Sequence, residues 1–207
     1  MAEIAYYVLD LESTGLSSKD HEVNEISIIR AKDKVQLTKQ VRCEYPERAS
    51  FDALKITNKT LSDLNNGISK EEAINSVEYF LNQDGLSPSS RCIVGHNVIS
   101  FDKRMLFAMW EKCGKEFPAH LWLDTMHLTK QHAKNIGIVK PKINLQASCD
   151  LLQIKKVAGM HNAKSDTRNA YLLWEKLKSE VDYLPLIKTF VHSLKNDDAE
   201  ERLEDLF

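Results

Sequence analysis

No CxxC pair occurs in this sequence. Its four cysteines, Cys43, Cys92, Cys113 and Cys149, stand far apart, which argues against a zinc site or a redox motif and for reduced thiols in a cytoplasmic protein. No stretch approaches the run of ~18 apolar residues that a membrane span requires. The apolar N-terminal stretch, MAEIAYYVLDLES, meets charge too soon for a signal peptide. Strong charge of one sign is missing as well: the formal net charge is −2, which excludes a strongly basic protein that coats nucleic acid. The charge is unevenly placed, however. Residues 196–207, NDDAEERLEDLF, carry six acids and one arginine, a net of −5, leaving +3 for residues 1–195. A mildly basic body with an acidic tail suits contact with phosphates at one cleft.

What is present is enough apolar material, 43% of 207 residues, for one well-buried domain over residues 1–195, with 196–207 as a flexible acidic tail. Residues 4–11, IAYYVLDL, read as a central strand covered on both faces, and 23–31 and 35–43 as two further strands joined by a short polar turn. Ser69 with Glu72 forms a capping box opening a helix through Leu81. RCIVGHN reads as a buried strand ending near Gly95. A helix over 100–113 is started by Ser100 and ended by Gly114. WLDTMHL is a short strand running into a helix at Asp124, 135–144 is a loop, and helices follow at 144–152, 163–179 and 183–194. Strands first, then helices alternating with two more strands, predict an α/β mixed sheet with helices on both faces.

Four carboxylates fall where a core is expected. The period of two puts Asp10 and Glu12 on one face of the first strand, at its C-terminal end. On the helix at 100–113, Asp102, Leu106, Met109 and Cys113 are spaced four, three and four apart, and on 163–179 the stripe is Ala163, Asp166, Ala170, Leu173 and Leu177. Each helix thus turns an acid inward near its first turn. A helix N-terminus favours an anion by roughly 0.3–1 kcal/mol, which accounts for one such acid but strains to account for two beside a DxE pair. If the four converge, repulsion and desolvation demand a cation, and hard oxygen donors suit Mg²⁺ or Mn²⁺. Two such ions about 4 Å apart can stabilise both the attacking and the leaving oxygen of a phosphodiester displacement. His161, five residues before Asp166, is the candidate proton acceptor.

These motifs resemble the DEDD superfamily of 3′-to-5′ exonucleases, in the DnaQ-like, histidine-bearing DEDDh branch. DLESTGL at 10–16, HNVISFD at 96–102 and HNAKSD at 161–166 occur in the family's order, with LKIT at 54–57, Asp124-Thr125 and NLQASCDLL at 144–152 as weaker likenesses. The resemblance covers roughly residues 1–180. It implies an RNase H-like fold with a five-stranded sheet, the second strand antiparallel to the rest. It also implies two metal ions: Asp10 bridging them, Glu12 and Asp166 completing one site, Asp102 holding the other, and His161 activating the water. Thr14 and Leu16 match positions that contact the terminal nucleotide, Leu16 as a wedge against its base, and His96 and Asn97 lie in the second motif. Ser13 stands where Thr is commoner. Three residues rather than two separate Asn97 from Phe101, a spacing similar to that of exonuclease I and the polymerase-associated members. Thr167 replaces a frequent Ala, a change predicted to fall on the outer helix face.

The implied activity is hydrolysis at the 3′ end of single-stranded DNA, releasing nucleoside 5′-monophosphates. An exoribonuclease is the enzymatic alternative, and a non-catalytic module that holds a 3′ end or a clamp is the other. Lys134, Lys140, Lys142, Lys155, Lys156 and Lys164 cluster around the motifs in sequence, and Lys140 and Lys142 are predicted to bind the strand. At the tail's tip, Leu203, Leu206 and Phe207 resemble a loose form of the peptides that dock into sliding clamps. They are also similar to the acidic, Phe-ended tips of single-stranded-DNA-binding proteins, while the alternative is a tail folded back on its own domain.

Overall fold

The computed structural model describes residues 3–157 and 162–194. The first strand, β1 (Ala5–Ser13), is central in a six-stranded sheet of order β3-β2-β1-β4-β5-β6. On one side lie β2 (Val23–Arg30), antiparallel to β1, and β3 (Gln36–Gln40), antiparallel to β2. On the other side lie β4 (Arg91–Gly95) and β5 (Leu121–Asp124), both parallel to β1, and β6 (Lys188–Thr189), antiparallel to β5. The alternation of β1 sorts its side chains as the period of two predicts. Tyr7, Leu9 and Leu11 enter a core with α3 (Lys70–Asn82) and α4 (Asp102–Glu111), whereas Val8 enters a second core with α6 (Leu145–Leu151) and α7 (Ala163–Glu180).

Several helix starts follow from their caps. Ser69 and Glu72 form both arms of the capping box opening α3, and the Asp124 carboxylate accepts from the Met126 amide (2.9 Å) to open α5 (Thr125–Asn135). The Asn162 side chain accepts from the Ser165 amide (2.9 Å) at the start of α7. Two short helices that the sequence reading does not mark, α1 (Phe51–Thr57) and α2 (Leu61–Leu64), start at Ser50 and Thr60. Among the described residues no helix is long and apolar enough to cross a membrane.

Three expectations are corrected. Ser100 does not cap α4: its amide and that of Phe101 both donate to the Asn97 carbonyl (3.2 and 3.1 Å). The loop therefore closes as a turn on Asn97, at φ 67°, and the helix begins two residues later at Asp102. Thr167 is not on an outer face. It is fully buried against β2, its hydroxyl bonding the Ala163 carbonyl (2.5 Å) and reaching toward that of Ser27 (3.3 Å), because α7 lies flat on β1 and β2. Residues 183–194 form no α-helix. Pro185 sits in a single 3-10 turn (Leu184–Leu186), and Lys188 and Thr189 then pair with the free edge of β5 as β6, the sixth strand.

The chain after β6 is fixed by His192, which stacks on Phe107 (ring centroids 4.4 Å) and accepts from the Phe117 amide through Nδ1 (2.9 Å). Burial holds its pKa below the usual histidine value of 6.5, against the opposing charges of Glu111 and Glu116. The unfolded chain therefore takes up the proton first. This contribution to stability is complete above about pH 6.5 and is lost as pH falls through that value toward the folded pKa. The thermal midpoint should drop between pH 7 and 5 with a slope that flattens in His192→Gln, and an identical slope in the variant would remove this residue as the cause.

Candidate active site

The site forms at the C-terminal end of β1, where the parallel strands release their loops. Asp10 and Glu12 continue the face that carries Val8, so they emerge beneath α7, and Asp166 hangs from the first turn of that helix. One carboxylate oxygen from each of Asp10, Glu12 and Asp166 lies within 4.8 Å of the other two. Asp102 comes from the opposite side, as the first residue of α4. It is buried outside that trio of oxygens, and its charge is the largest of those acting on Asp10. All four predicted acids therefore meet at one strand end. His161 lies outside the described residues, as do Leu203, Leu206 and Phe207.

The electrostatics of this cluster are those of buried carboxylates crowded against one another. Burial pushes Asp10 well above the usual carboxylate range, with the charges of Asp102, Glu12, Asp166 and Glu25 adding to it. Burial and then Asp166 raise Glu12 to about 7, against the pull of Lys59. Asp102 is raised mainly by burial, while its own amide and that of Leu11 pull it back. Hard oxygen donors crowded at this density fit a divalent cation.

Two backbone approaches hold the geometry. A Cβ on Gly95 would lie 2.7 Å from the Leu9 carbonyl and 2.8 Å from Val98 Cβ, so the end of β4 meets β1 only without a side chain. The loop after β4 is fastened by Asp124, whose carboxylate accepts from the Asn97 amide (2.9 Å) and more loosely from that of Ile99 (3.4 Å). This seats Phe101 and Asp102 against the strand end. The Asp124-Thr125 pair thus supports the second motif, a role its place after a strand could suggest but not locate.

Clefts open on both sides of the acids. One, of about 440 Å³, is lined by Asp10, Asp166, His96, Gln146, Lys156 and Asn169 among others. His96 is fixed by Thr125 Oγ1 at Nδ1 (2.9 Å) and donates from Nε2 to the Ile143 carbonyl (2.7 Å), so both ring nitrogens are engaged within the protein. The other cleft, of about 930 Å³, runs from Glu12 past Leu16 to Ile56 and Phe101. Leu16 is 78% exposed, whereas Thr14 is buried, its hydroxyl accepting from the Glu22 amide (2.9 Å). Ser13 donates to the Gly15 carbonyl (2.7 Å), so Ser13 and Thr14 brace the loop that presents Leu16. Lys140 and Lys142 are exposed on the loop leading into α6. Of the lysines noted in the sequence, Lys156 lines the cleft itself, paired with Asp150 at 2.6 Å.

Comparison with known proteins agrees with this geometry. The sequence model of a family described as exonuclease, of the RNase T type, matches residues 7–174. A PolC-type DNA polymerase III of Staphylococcus haemolyticus is 24% identical over 205 residues, which are 98% of this chain but 13% of that protein. Among solved structures, cell-death related nuclease 4 superposes with a TM-score of 0.71 at 12% identity, covering 91% of this chain and 67% of that one. E. coli exonuclease I in complex with a dA16 oligonucleotide gives 0.70 at 13% identity, covering 86% and 41%. These structural likenesses establish the RNase H-like α/β fold, and with the family match over most of its length the chain belongs to the DnaQ-like family of 3′–5′ exonucleases.

Proposed function

We propose that this protein is a divalent-metal-dependent exonuclease that trims single-stranded DNA from the 3′ end, releasing nucleoside 5′-monophosphates. The observation that carries the reading is the convergence of Asp10, Glu12 and Asp166 oxygens within 4.8 Å, with Asp102 beside them, at the junction of two open clefts. Asp10, Glu12, Asp102 and Asp166 would hold two Mg²⁺ or Mn²⁺ ions. Bound there, such ions supply Lewis acidity and offset the charge that develops on the phosphate in the transition state. The chain's own groups do the rest. Leu16 wedges beside the terminal base, the 440 Å³ cleft under Asn144 and Gln146 receives the backbone, and His161 takes the proton of the attacking water. The oligonucleotide complexes of exonuclease I favour DNA as substrate.

The test is turnover of matched DNA and RNA single strands labelled at the 5′ end, with and without EDTA. A ladder shortening from the 3′ end on DNA, abolished by chelation and restored by Mg²⁺ or Mn²⁺, is the expected result. Faster digestion of RNA would move the assignment to an exoribonuclease, and no cleavage of either would leave a binding module.

The strand should also cross the loop bearing Lys140 and Lys142. Each phosphate contact on a single strand contributes about 0.7 to the slope of log K against log salt, so losing two should flatten it by about 1.4. Fluorescence anisotropy of a labelled oligomer bound to Lys140→Gln/Lys142→Gln reads this directly. An unchanged slope would place the strand elsewhere.

A further inference from the structure

A fifth carboxylate stands beside the four. Glu25 lies directly opposite Glu12 in the β1–β2 ladder, next to the irregularity in register between Glu12 and Ser13. Residues directly opposite on an antiparallel pair bring their Cβ atoms to about 4.5–5.5 Å, where like charges are destabilising. The charge of Glu25 acts on both Glu12 and Asp10. Left to itself, this side chain would repel Glu12 or join the metal ligands.

What restrains it is Lys59. The Asn58 cap of α1 adopts the left-handed conformation at φ 53°, and the Lys59 amide donates back to the Leu54 carbonyl (3.1 Å). This turn carries Lys59 to β2. There its ammonium donates to Glu25 Oε2 (3.1 Å) and Asn24 Oδ1 (2.9 Å), with the Lys59 and Glu25 side chains only 15% and 14% exposed. Asn24 is itself buried, so the ammonium is seated between two fixed oxygens rather than waving in solvent. Lys59 also pulls on Glu12 in the opposite sense to Asp166.

We propose that Lys59 is a positioning residue that holds Glu25 out of the metal cluster and so fixes the ligand set at Asp10, Glu12, Asp102 and Asp166. The inference rests on the metal-dependent reading above, and it adds a control on how many acids a cation meets. Without the lysine the cluster gains a net negative charge and a ligand that can swing inward. Cations then bind more tightly but in an arrangement that turns over less well. Without the glutamate, an uncompensated ammonium faces the cluster and cations bind more weakly.

The test is Mn²⁺ binding to the whole protein without substrate, by titration calorimetry with spin-resonance counting of bound ions, alongside turnover. Lys59→Met should tighten Mn²⁺ by about tenfold while kcat falls, and Glu25→Gln should weaken it by about as much, since one charge in a half-buried setting acts at that scale. The double variant Lys59→Met/Glu25→Gln should return to within about threefold of wild type, because the pair is again neutral. A merely structural pair would weaken binding in both single variants, and that result, or a double variant no closer to wild type, overturns the proposal. If Lys59→Met alone does not fold, Glu25→Gln and the double variant decide, since neither leaves a buried carboxylate unpaired. Wild-type protein that binds no Mn²⁺ overturns the metal reading with this one; wild type that binds while the variants do not diverge overturns this one alone.

Discussion

Asp10→Asn should lose at least about 10³-fold in turnover while the metal-free protein melts no lower than wild type, and higher if the substitution packs isosterically. Both halves come from the same carboxylate. In the proposed reaction Asp10 would help to hold the ions, and a group that stabilises transition-state charge in a dry site contributes several kcal/mol. Retention of more than about a tenth of wild-type rate would exclude Asp10 as a metal ligand, because about 1.4 kcal/mol already corresponds to a tenfold change. The stability half follows from the direction of its pKa. Burial and four neighbouring acids hold Asp10 above its ordinary value. Near neutral pH the unfolded chain ionises this group more readily than the folded, metal-free state does, so the carboxyl group costs the fold stability there, and replacing it relieves that penalty. Adding Mg²⁺ should raise the melting temperature of wild type by ligand linkage and leave Asp10→Asn nearly unmoved. A variant that lost activity through misfolding would instead melt lower in both conditions.

The sequence carries this site because the acids violate the two periodicities that otherwise describe the core. Asp10 and Glu12 fall on the even positions of β1 after Val8, and Asp102 and Asp166 fall on stripes that are apolar elsewhere, so each is legible by the local rule it breaks. Residues whose role depends on distant pairing are not legible in this way. Glu25 reads as one more polar position of a strand and Lys59 as a surface lysine after a helix. Only the register that sets Glu25 opposite Glu12, and the turn at Asn58, bring them to the acids. Residues 183–194 mislead for a related reason. Their leucines and valine satisfy a short helical period, but the free edge of β5 offers backbone partners, and Pro185 keeps a helix from propagating. Thr167 lies off the apolar stripe of Ala163, Asp166 and Ala170, which points it outward by period alone, but α7 is buried broadly enough against β1 and β2 to enclose it.

His161→Ala should lower turnover by roughly 10²–10⁴ while Mg²⁺ and Mn²⁺ bind as in wild type. The distinction matters because His161 lies five residues before Asp166 in the chain, and an imidazole is as capable of ligating a transition metal as of accepting a proton. A base and a ligand leave different traces. If His161 takes the proton of the attacking water, the rate of wild type falls at low pH, and that limb disappears in the variant even though the residual rate is measurable. The substitution leaves the proposed ligands Asp10, Glu12, Asp102 and Asp166 in place, so Mn²⁺ titration of His161→Ala without substrate should give the wild-type affinity and the wild-type number of ions. A weak exogenous base such as imidazole should restore part of the lost rate, because an added proton acceptor can stand in for a lost base but does not replace a missing metal ligand in the same way. Collapse of ion binding in the variant, with no rescue by imidazole, would make His161 a ligand and require another group to accept the proton.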